Sequence, residues 1–340
     1  MTYPVTQQSH ISEAVGRRSG IQALKDSAIA VLLVGAAALA VSLLALPVAH
    51  AQTREVRIGY QKYGTLIILK ARGTLEKRLA PLGVSVKWAE FAFGPPLLEA
   101  INVGSIDYGT VGEAPPIFAL SAGADLVYVA NEPPALTAEG ILVRKGSPLK
   151  TPADLKGKKV AVAKGSNANY LLVKVLEKAG LKWTDIQPVY LAPADARAAF
   201  ETGAIDAWSI WDPFLAAGQT QIGAQVIADA TGVANNYQYF LASRSYAQKN
   251  PEIIKAIVEE TARIDDWGGK NKKEVGAFLA KEVGLDAATA ELAASRLAYG
   301  IKPISAEVLA DQQRVADTFY EFRLIPKKVT VNDAVFKPAP

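Results

Sequence analysis

Short β-like apolar runs recur along the chain, separated by stretches with helical spacing. "EVRIGYQ" (Glu55 to Gln61), "VSVKWAEF", "IDYGTV", "DLVYVA" and "ILVRK" are predicted strands. Between the first two, "TLIILKARGTLEKRLAPLG" is predicted as one helix. Two further helices are predicted to start at Gly94-Pro95-Pro96 and in the turn from Gly112 to Pro116. Proline suits a first helical turn because the N–H it lacks has no intrahelical partner there.

A second series of similar units begins at Thr151. This residue is placed to cap a helix, with Pro152 in the first helical position and Asp154 as a box-like partner. "KVAVA", "PVYLA", "IDAWSIW" and "QVIAD" are predicted strands, and helices follow "KGSNAN" and Pro193. After "YQYFLAS" the chain reads as mostly helical, with Ile253, Ile254, Ile257, Val258 and Ile264 at helical spacing. The alternation predicts an α/β fold with two lobes around a ligand cleft, each lobe a parallel sheet with helices on both faces. Lobe 1 is predicted over residues 54–144 with 238–340, and lobe 2 over 145–237. Such a cleft takes small molecules outside the carboxyl ends of the strands.

The N-terminus has a different composition. Arg17, Arg18 and Lys25 precede an almost unbroken apolar run from Ala28 to Val48, and Ala49 and Ala51 form the small-x-small pattern of a signal peptidase site. Residues 1–51 are therefore expected to be a secretory signal peptide, with a retained membrane anchor as the competing reading. No cysteine stands at the cut to carry a lipid.

Composition narrows the chemistry. The 340 residues include no cysteine, and the only histidines, His10 and His50, precede the predicted cut. A mature chain without either residue has no disulfide, no thiol nucleophile and no zinc site of the usual ligands, and it loses most general-base schemes. The 37 basic against 33 acidic residues are too balanced for nucleic acid. No cofactor, metal or catalytic group is expected.

Several predicted turns open toward the cleft. They carry Gln61, Gly94 with Pro95, Gly112 with Glu113, Ser166 with Asn167, and Trp211 with Asp212. Helix N-termini present unpaired N–H groups and a positive dipole end, a common way to hold an anion. Backbone N–H groups at Gly94 and at Ser166 to Asn167 are expected to converge on one anion, with Ser166 and Asn167 adding side-chain donors. Glu113 reads either as a ligand-facing charge or as a helix cap, and Asp212 before Pro213 suits capping. Trp208 and Trp211 are three apart in a strand and face opposite ways, so one is expected in the core and Trp211 at the cleft rim. Arg197 reads as a solvated helix residue.

The stretches "LEAINVGSIDYGTVGEAPPIFA", "TPADLKGKKVAVAKGS", "LKWTDIQPVYLAPADARAAF", "DAWSIWDPF" and "QQRVADTFYEFRLIPKKV", in this order, resemble the aliphatic sulfonate-binding proteins of bacterial ABC importers. The resemblance covers nearly the whole mature chain. It implies a type II periplasmic binding fold, a monomer that closes on a sulfonate in the periplasm and delivers it to an inner-membrane permease for sulfur supply. Two positions depart from the family pattern. Glu113 stands where Asp is usual, and Asn167 to Tyr170 replace further serines after the KGS turn. The alternatives are a binder of taurine, nitrate or a sulfate ester, or a pyrimidine-synthesis enzyme on the same fold, which needs the histidine that this mature chain lacks.

Overall fold

The computed structural model describes residues 54–337, so the apolar leader and its expected cut after Ala51 lie outside it. Strands β1 (Arg54–Tyr60), β2 (Val84–Glu90), β3 (Tyr108–Gly112) and β4 (Leu126–Asn131) belong to one sheet. A second sheet holds β5 (Glu139–Val143), β6 (Lys159–Val162), β7 (Gln187–Tyr190), β8 (Ala207–Trp211) and β9 (Gln225–Asp229). The chain then returns to the first sheet as β10 (Gln238–Ser243).

The strand orders β2-β1-β3-β10-β4 and β7-β6-β8-β5-β9 describe one topology used twice. In each sheet a strand that has just crossed from the other sheet is inserted antiparallel beside its neighbours. The sheets are therefore mixed, where the βα alternation alone predicted parallel ones.

Helices fill the connections. The first sheet carries α1 (Thr65–Arg72), α2 (Thr74–Leu79), α3 (Gly94–Asn102) and α4 (Ala114–Ser121). The single helix expected over the first of these connections is two short helices, broken where Gly73 adopts a φ of 59°. The second sheet carries α5 (Asn167–Lys178), α6 (Pro193–Glu201) and α7 (Phe214–Gln221). A helical block follows, α8 (Arg244–Lys249), α9 (Pro251–Lys270), α10 (Lys272–Val283), α11 (Ala287–Arg296) and α12 (Ala306–Glu321).

Each sheet buries both faces, and strand alternation decides which residue goes where. On β10, Phe240 packs with Ile58, Leu66, Ile253 and Ile257, while Tyr239 and Leu241 pack with Leu97, Ile117 and Phe319. In the second sheet, Ile141 and Val162 pack against Leu171 of α5, while Leu142 and Trp208 pack against Phe200 and Leu215. The Ile253, Ile254, Ile257 and Ile264 stripe of α9 is buried, each residue contributing roughly 1.5–3 kcal/mol.

The first crossing differs from expectation. β5 was predicted in lobe 1, with the crossing near Arg144 to Lys150, but it pairs with β8 and β9. The chain crosses earlier, between Asn131 and Glu139, through "EPPALTA". Pro133 and Pro134 cannot donate to a ladder, which ends the first sheet there. The five residues of β5 are all buried, and its apolar run from Gly140 to Val143, buried on both faces, shows no preference for one sheet over its neighbour.

The return crossing lies between Asp229 and Gln238 and is laced to the first. Ala135 N–H donates to the Asn235 carbonyl at 3.2 Å, Ala230 N–H to Leu136 at 3.0 Å, and Asn236 Nδ2 to Ala135 at 2.9 Å. Two acids are sealed here. Glu113 accepts the Tyr237 N–H at 3.3 Å through Oε2, while its Oε1 has no partner among the described residues. Burial pushes its carboxyl up to about 7, partly offset by the N–H groups of Tyr237 and Asn236. Glu139 is fully buried with both oxygens unpaired among the described residues. Burial, then the charges of Glu113 and Asp229, hold its carboxyl well above the usual range.

The two Gly-Pro-Pro-like starts pack on one another. A β-carbon on Gly94 would sit 2.6 Å from Pro115 Cγ and 3.3 Å from Val111 Cγ1. Glycine is therefore set by the approach of α3 to α4. Gly94→Ala is expected to cost about 1–3 kcal/mol of overpacking, read as a lower denaturation midpoint; a midpoint equal to the parent's would contradict this packing.

A second expectation concerns Glu113. Its folded-state pKa of about 7 lies above the ordinary 4.5, so the folded state keeps a proton that the unfolded state has lost. The stability from the neutral acid is complete below the lower value and is lost as pH rises through the upper one. Glu113→Gln should flatten the fall in stability over that interval by up to one proton, about 1.4 kcal/mol per pH unit. Denaturation midpoints measured across a pH series check it, and a mutant profile parallel to the parent's would refute it.

Candidate functional site

The carboxyl ends of β1, β3 and β8 meet the start of α5 around one cavity between the two sheets. Gln61, Gly94, Gly112, Ser166, Asn167 and Trp211 all line it. Its free space is about 50 Å³. On a scale where one water needs roughly 10–15 Å³, that is room for a few waters, so the sheets stand closed.

Helix starts supply part of the cavity lining. α4 begins directly after β3, and α5 begins in the turn after β6. A helix start normally leaves four N–H groups without intrahelical partners. In α4, Pro115 and Pro116 remove two of them, and in α3 Pro95 and Pro96 do the same. The double prolines that mark these helix starts in the sequence thus thin their donor sets. What remains is selective: Gly94 N–H on α3, Ala114 N–H on α4, and Asn167 and Ala168 N–H on α5.

Asn167 joins these pieces. Its Oδ1 accepts the Ala114 N–H at 3.1 Å, so a residue of one sheet's helix caps the helix of the other. Its Nδ2 donates to Asn236 Oδ1 at 2.6 Å, and Asn236 holds the Ala135 carbonyl. One side chain therefore links α4, α5 and both crossings. Gly112 makes room for it: a β-carbon there would stand 2.1 Å from either end of the Asn167 amide. Tertiary packing, and no turn requirement, demands glycine at this position.

Ser166 closes the turn before α5. It caps α5, accepting the Asn169 N–H at 3.3 Å, and its hydroxyl donates to the Ala163 carbonyl at 2.7 Å. In this closed form its proton is held within its own turn. Gln61 Nε2 donates to the Thr110 carbonyl at 3.1 Å and fixes the floor of the cavity.

Three expected residues do not line the cavity. Pro95 gives way to Pro115, which packs on Gly94. Glu113 turns from the cleft to the return crossing and makes no side-chain cap. Asp212 is fully buried; it accepts the Ala216 N–H at 2.9 Å and lies 3.4 Å from Arg296 Nη1. Burial lifts its carboxyl to about 6, against the pull of Arg296. Asp212 thus anchors α7 and fastens α11 to the second sheet. Arg197 lies on an exposed helix face and pairs with Glu201 at 2.7 Å.

Trp211, Pro115, Ala135, Ala138 and Leu297 supply apolar surface to the lining. Trp211 is half-buried at the end of β8, while Trp208 lies in the core against Phe200 and Phe214. Leu297 and Ala298 follow α11, and Tyr63, Thr110, Glu132, Asn236 and Gln238 complete the polar lining. Sequence reading missed these residues. The one available signal was "NEPP", whose proline pair marks the crossing beside Glu132.

Among the described residues, Glu132 is the only charged one of the lining. Burial, and then the charge of Asp265, push its carboxyl up to about 8. Among the described residues no group of three or more acids, histidines or cysteines is placed to hold a metal. Among them also, no helix is long and apolar enough to cross a membrane.

Comparison with known proteins agrees with this architecture. The family model described as "NMT1/THI5 like" matches residues 83–267. An aliphatic sulfonates-binding protein of Escherichia coli (strain K12) is 48% identical over 292 residues, covering 85% of this chain and 91% of that protein. The structure of the alkanesulfonate-binding protein SsuA from Xanthomonas axonopodis pv. citri bound to MOPS superposes with a TM-score of 0.80 at 43% identity, over 83% of this chain and 98% of that one. The periplasmic aliphatic sulphonate binding protein SsuA from Escherichia coli gives 0.77 at 47% identity, over 84% and 93%. The chain belongs to the NMT1/THI5-like family, together with these sulfonate-binding proteins.

Proposed function

We propose that this protein is the periplasmic binding component of an ABC importer, taking an aliphatic sulfonate into its cleft and handing it unchanged to a membrane permease. The observation that carries the reading is the composition of the cavity lining. Residues at helix starts, Gly94, Pro115, Ser166 and Asn167, line it together with apolar Trp211, Leu297 and the alanines at 135, 138 and 298. A sulfonate with an alkyl tail has the same two-part character. The likeness to sulfonate-binding relatives over most of the chain supports it.

The head group takes the Ala114 N–H, which Asn167 Oδ1 accepts in the closed cleft, together with the free N–H groups at the start of α5. Oriented N–H groups and the positive end of a helix hold an anion without a full counter-charge. Parting of the sheets about the two crossings would admit the ligand. The role is binding without turnover: the mature chain expected from the leader has no histidine or cysteine, which removes most nucleophile and general-base schemes.

Two measurements test the reading. Calorimetry with the mature chain should show affinity rising about four-fold per added methylene, from roughly 0.8 kcal/mol for each CH₂ buried. Trp211→Ala should flatten that rise. Asn167→Asp keeps an acceptor for the Ala114 N–H but puts a charge beside the sulfonate, and should weaken binding by about 100-fold or more. Inorganic sulfate binding as tightly as hexanesulfonate, or sulfonate binding unchanged in Asn167→Asp, would overturn the assignment. Recovery of sulfite would mark an enzyme instead.

A further inference from the structure

The cavity has a second polar feature that an ordinary alkanesulfonate does not use. Glu132, at the end of β4, is 2% exposed and still lines the cavity. Its Oε1 lies 2.9 Å from Thr65 Oγ1, and its other oxygen has no hydrogen-bond partner among the described residues. The same Thr65 hydroxyl lies 2.9 Å from Asp265 Oδ1. One hydroxyl proton serves only one of these acids. Asp265 also accepts the Gly300 and Ile301 N–H groups, which favour its charged form. The Thr65 hydroxyl donates to one of the two carboxyls at a time, and burial with the charge of Asp265 raises the Glu132 carboxyl, which favours its neutral form while no cation stands beside it.

Tyr63 stands next to this acid. It lines the cavity from the turn between β1 and α1, and its buried hydroxyl has no partner among the described residues. The charges of Asp212 and Glu132 both reach it, with Arg296 acting against them. The other titratable groups around Glu132 are Asp265, Tyr108 and Tyr299. Among the described residues, no lysine or arginine lines the cavity. A cleft meant only for a simple anion gains nothing from a buried carboxyl as its one ionisable acid, since a negative charge there opposes the ligand.

We propose that Glu132 and Tyr63 read the tail of the ligand, selecting zwitterionic sulfonates whose cationic nitrogen lies against the Glu132 carboxylate. This rests on the sulfonate reading above and specifies its substrate class. A cationic tail draws the proton off Glu132, pairs with the free oxygen and accepts no competition from a protein cation. Tyr63 supplies a hydroxyl acceptor beside it. Buried charge pairs of this kind discriminate strongly, because the wrong ligand leaves the acid unpaired. A neutral tail meets only a protonated acid and gains little.

The test compares two ligands of similar length, 3-aminopropane-1-sulfonate and butane-1-sulfonate, by calorimetry near neutral pH in buffers of different ionisation enthalpy. The wild-type protein should prefer the aminosulfonate by about ten-fold or more, and that binding alone should release a proton. Glu132→Gln preserves the shape and the Thr65 contact. It should lower aminosulfonate affinity about ten-fold more than butanesulfonate affinity and abolish the proton release. Tyr63→Phe should shift the same ratio in the same direction by a smaller factor. A preference that survives in Glu132→Gln, an equal loss for both ligands, or a wild-type preference for butanesulfonate would overturn the proposal while leaving the sulfonate reading intact. Failure of the wild-type protein to bind either ligand would overturn both.

Discussion

Helix starts face one another across the gap between two sheets, and their N–H groups need acceptors. This requirement organises the rest of the site. An orphaned N–H buried away from water costs about as much as a lost hydrogen bond. In the closed form Asn167 meets the demand of α4 by offering its amide oxygen to Ala114 at 3.1 Å. The same amide reaches Asn236 in the return crossing, so the satisfaction of one helix start and the closure of the cleft are a single event. A ligand oxygen that takes over the Ala114 N–H competes with a bond that the protein makes to itself. The proposed binding mode would couple ligand binding to lobe closure through that exchange.

The crossings make the coupling usable. Each sheet receives one strand from a chain that has just left the other, and the two connecting segments bond to each other through Ala135, Asn235 and Asn236. Within the backbone, these few residues are where the two sheets are joined. Glu113 and Glu139 are buried beside them, and Asp212 with Arg296 fastens the helical block to the second sheet at 3.4 Å. The acids on this side are structural. The acid on the ligand side is Glu132, held within a shared hydrogen-bond pattern with Thr65 and Asp265.

Much of this was legible in the residues because periodicity is local. Alternation placed Trp208 and Trp211 on opposite faces, and the helical stripe of α9 fixed its buried side. The "KGS" turn marked the start of α5 because Ser166 is a strong N-cap, and in the closed form its hydroxyl is held within that turn. Side-chain direction at Glu113 depends on where residues 236 and 237 run, more than a hundred positions away, and no local signal carries that. β5 was assigned to the wrong sheet because a strand buried on both faces shows no register. Leu297, Ala298 and Tyr63 reached the cavity through packing between distant segments. The glycines at 94 and 112 were visible as turn residues, and only the packed structure shows that Pro115 and Asn167 are what they make room for.

The exchange at Ala114 is the central claim, and a crystal structure of the mature protein with butane-1-sulfonate tests it most directly. The expected structure has a sulfonate oxygen within hydrogen-bond distance of the Ala114 and Asn167 backbone nitrogens, the Asn167 side chain turned off Ala114, and the alkyl tail against Trp211. A sulfonate bound elsewhere, or bound with the Asn167–Ala114 hydrogen bond intact, would contradict it.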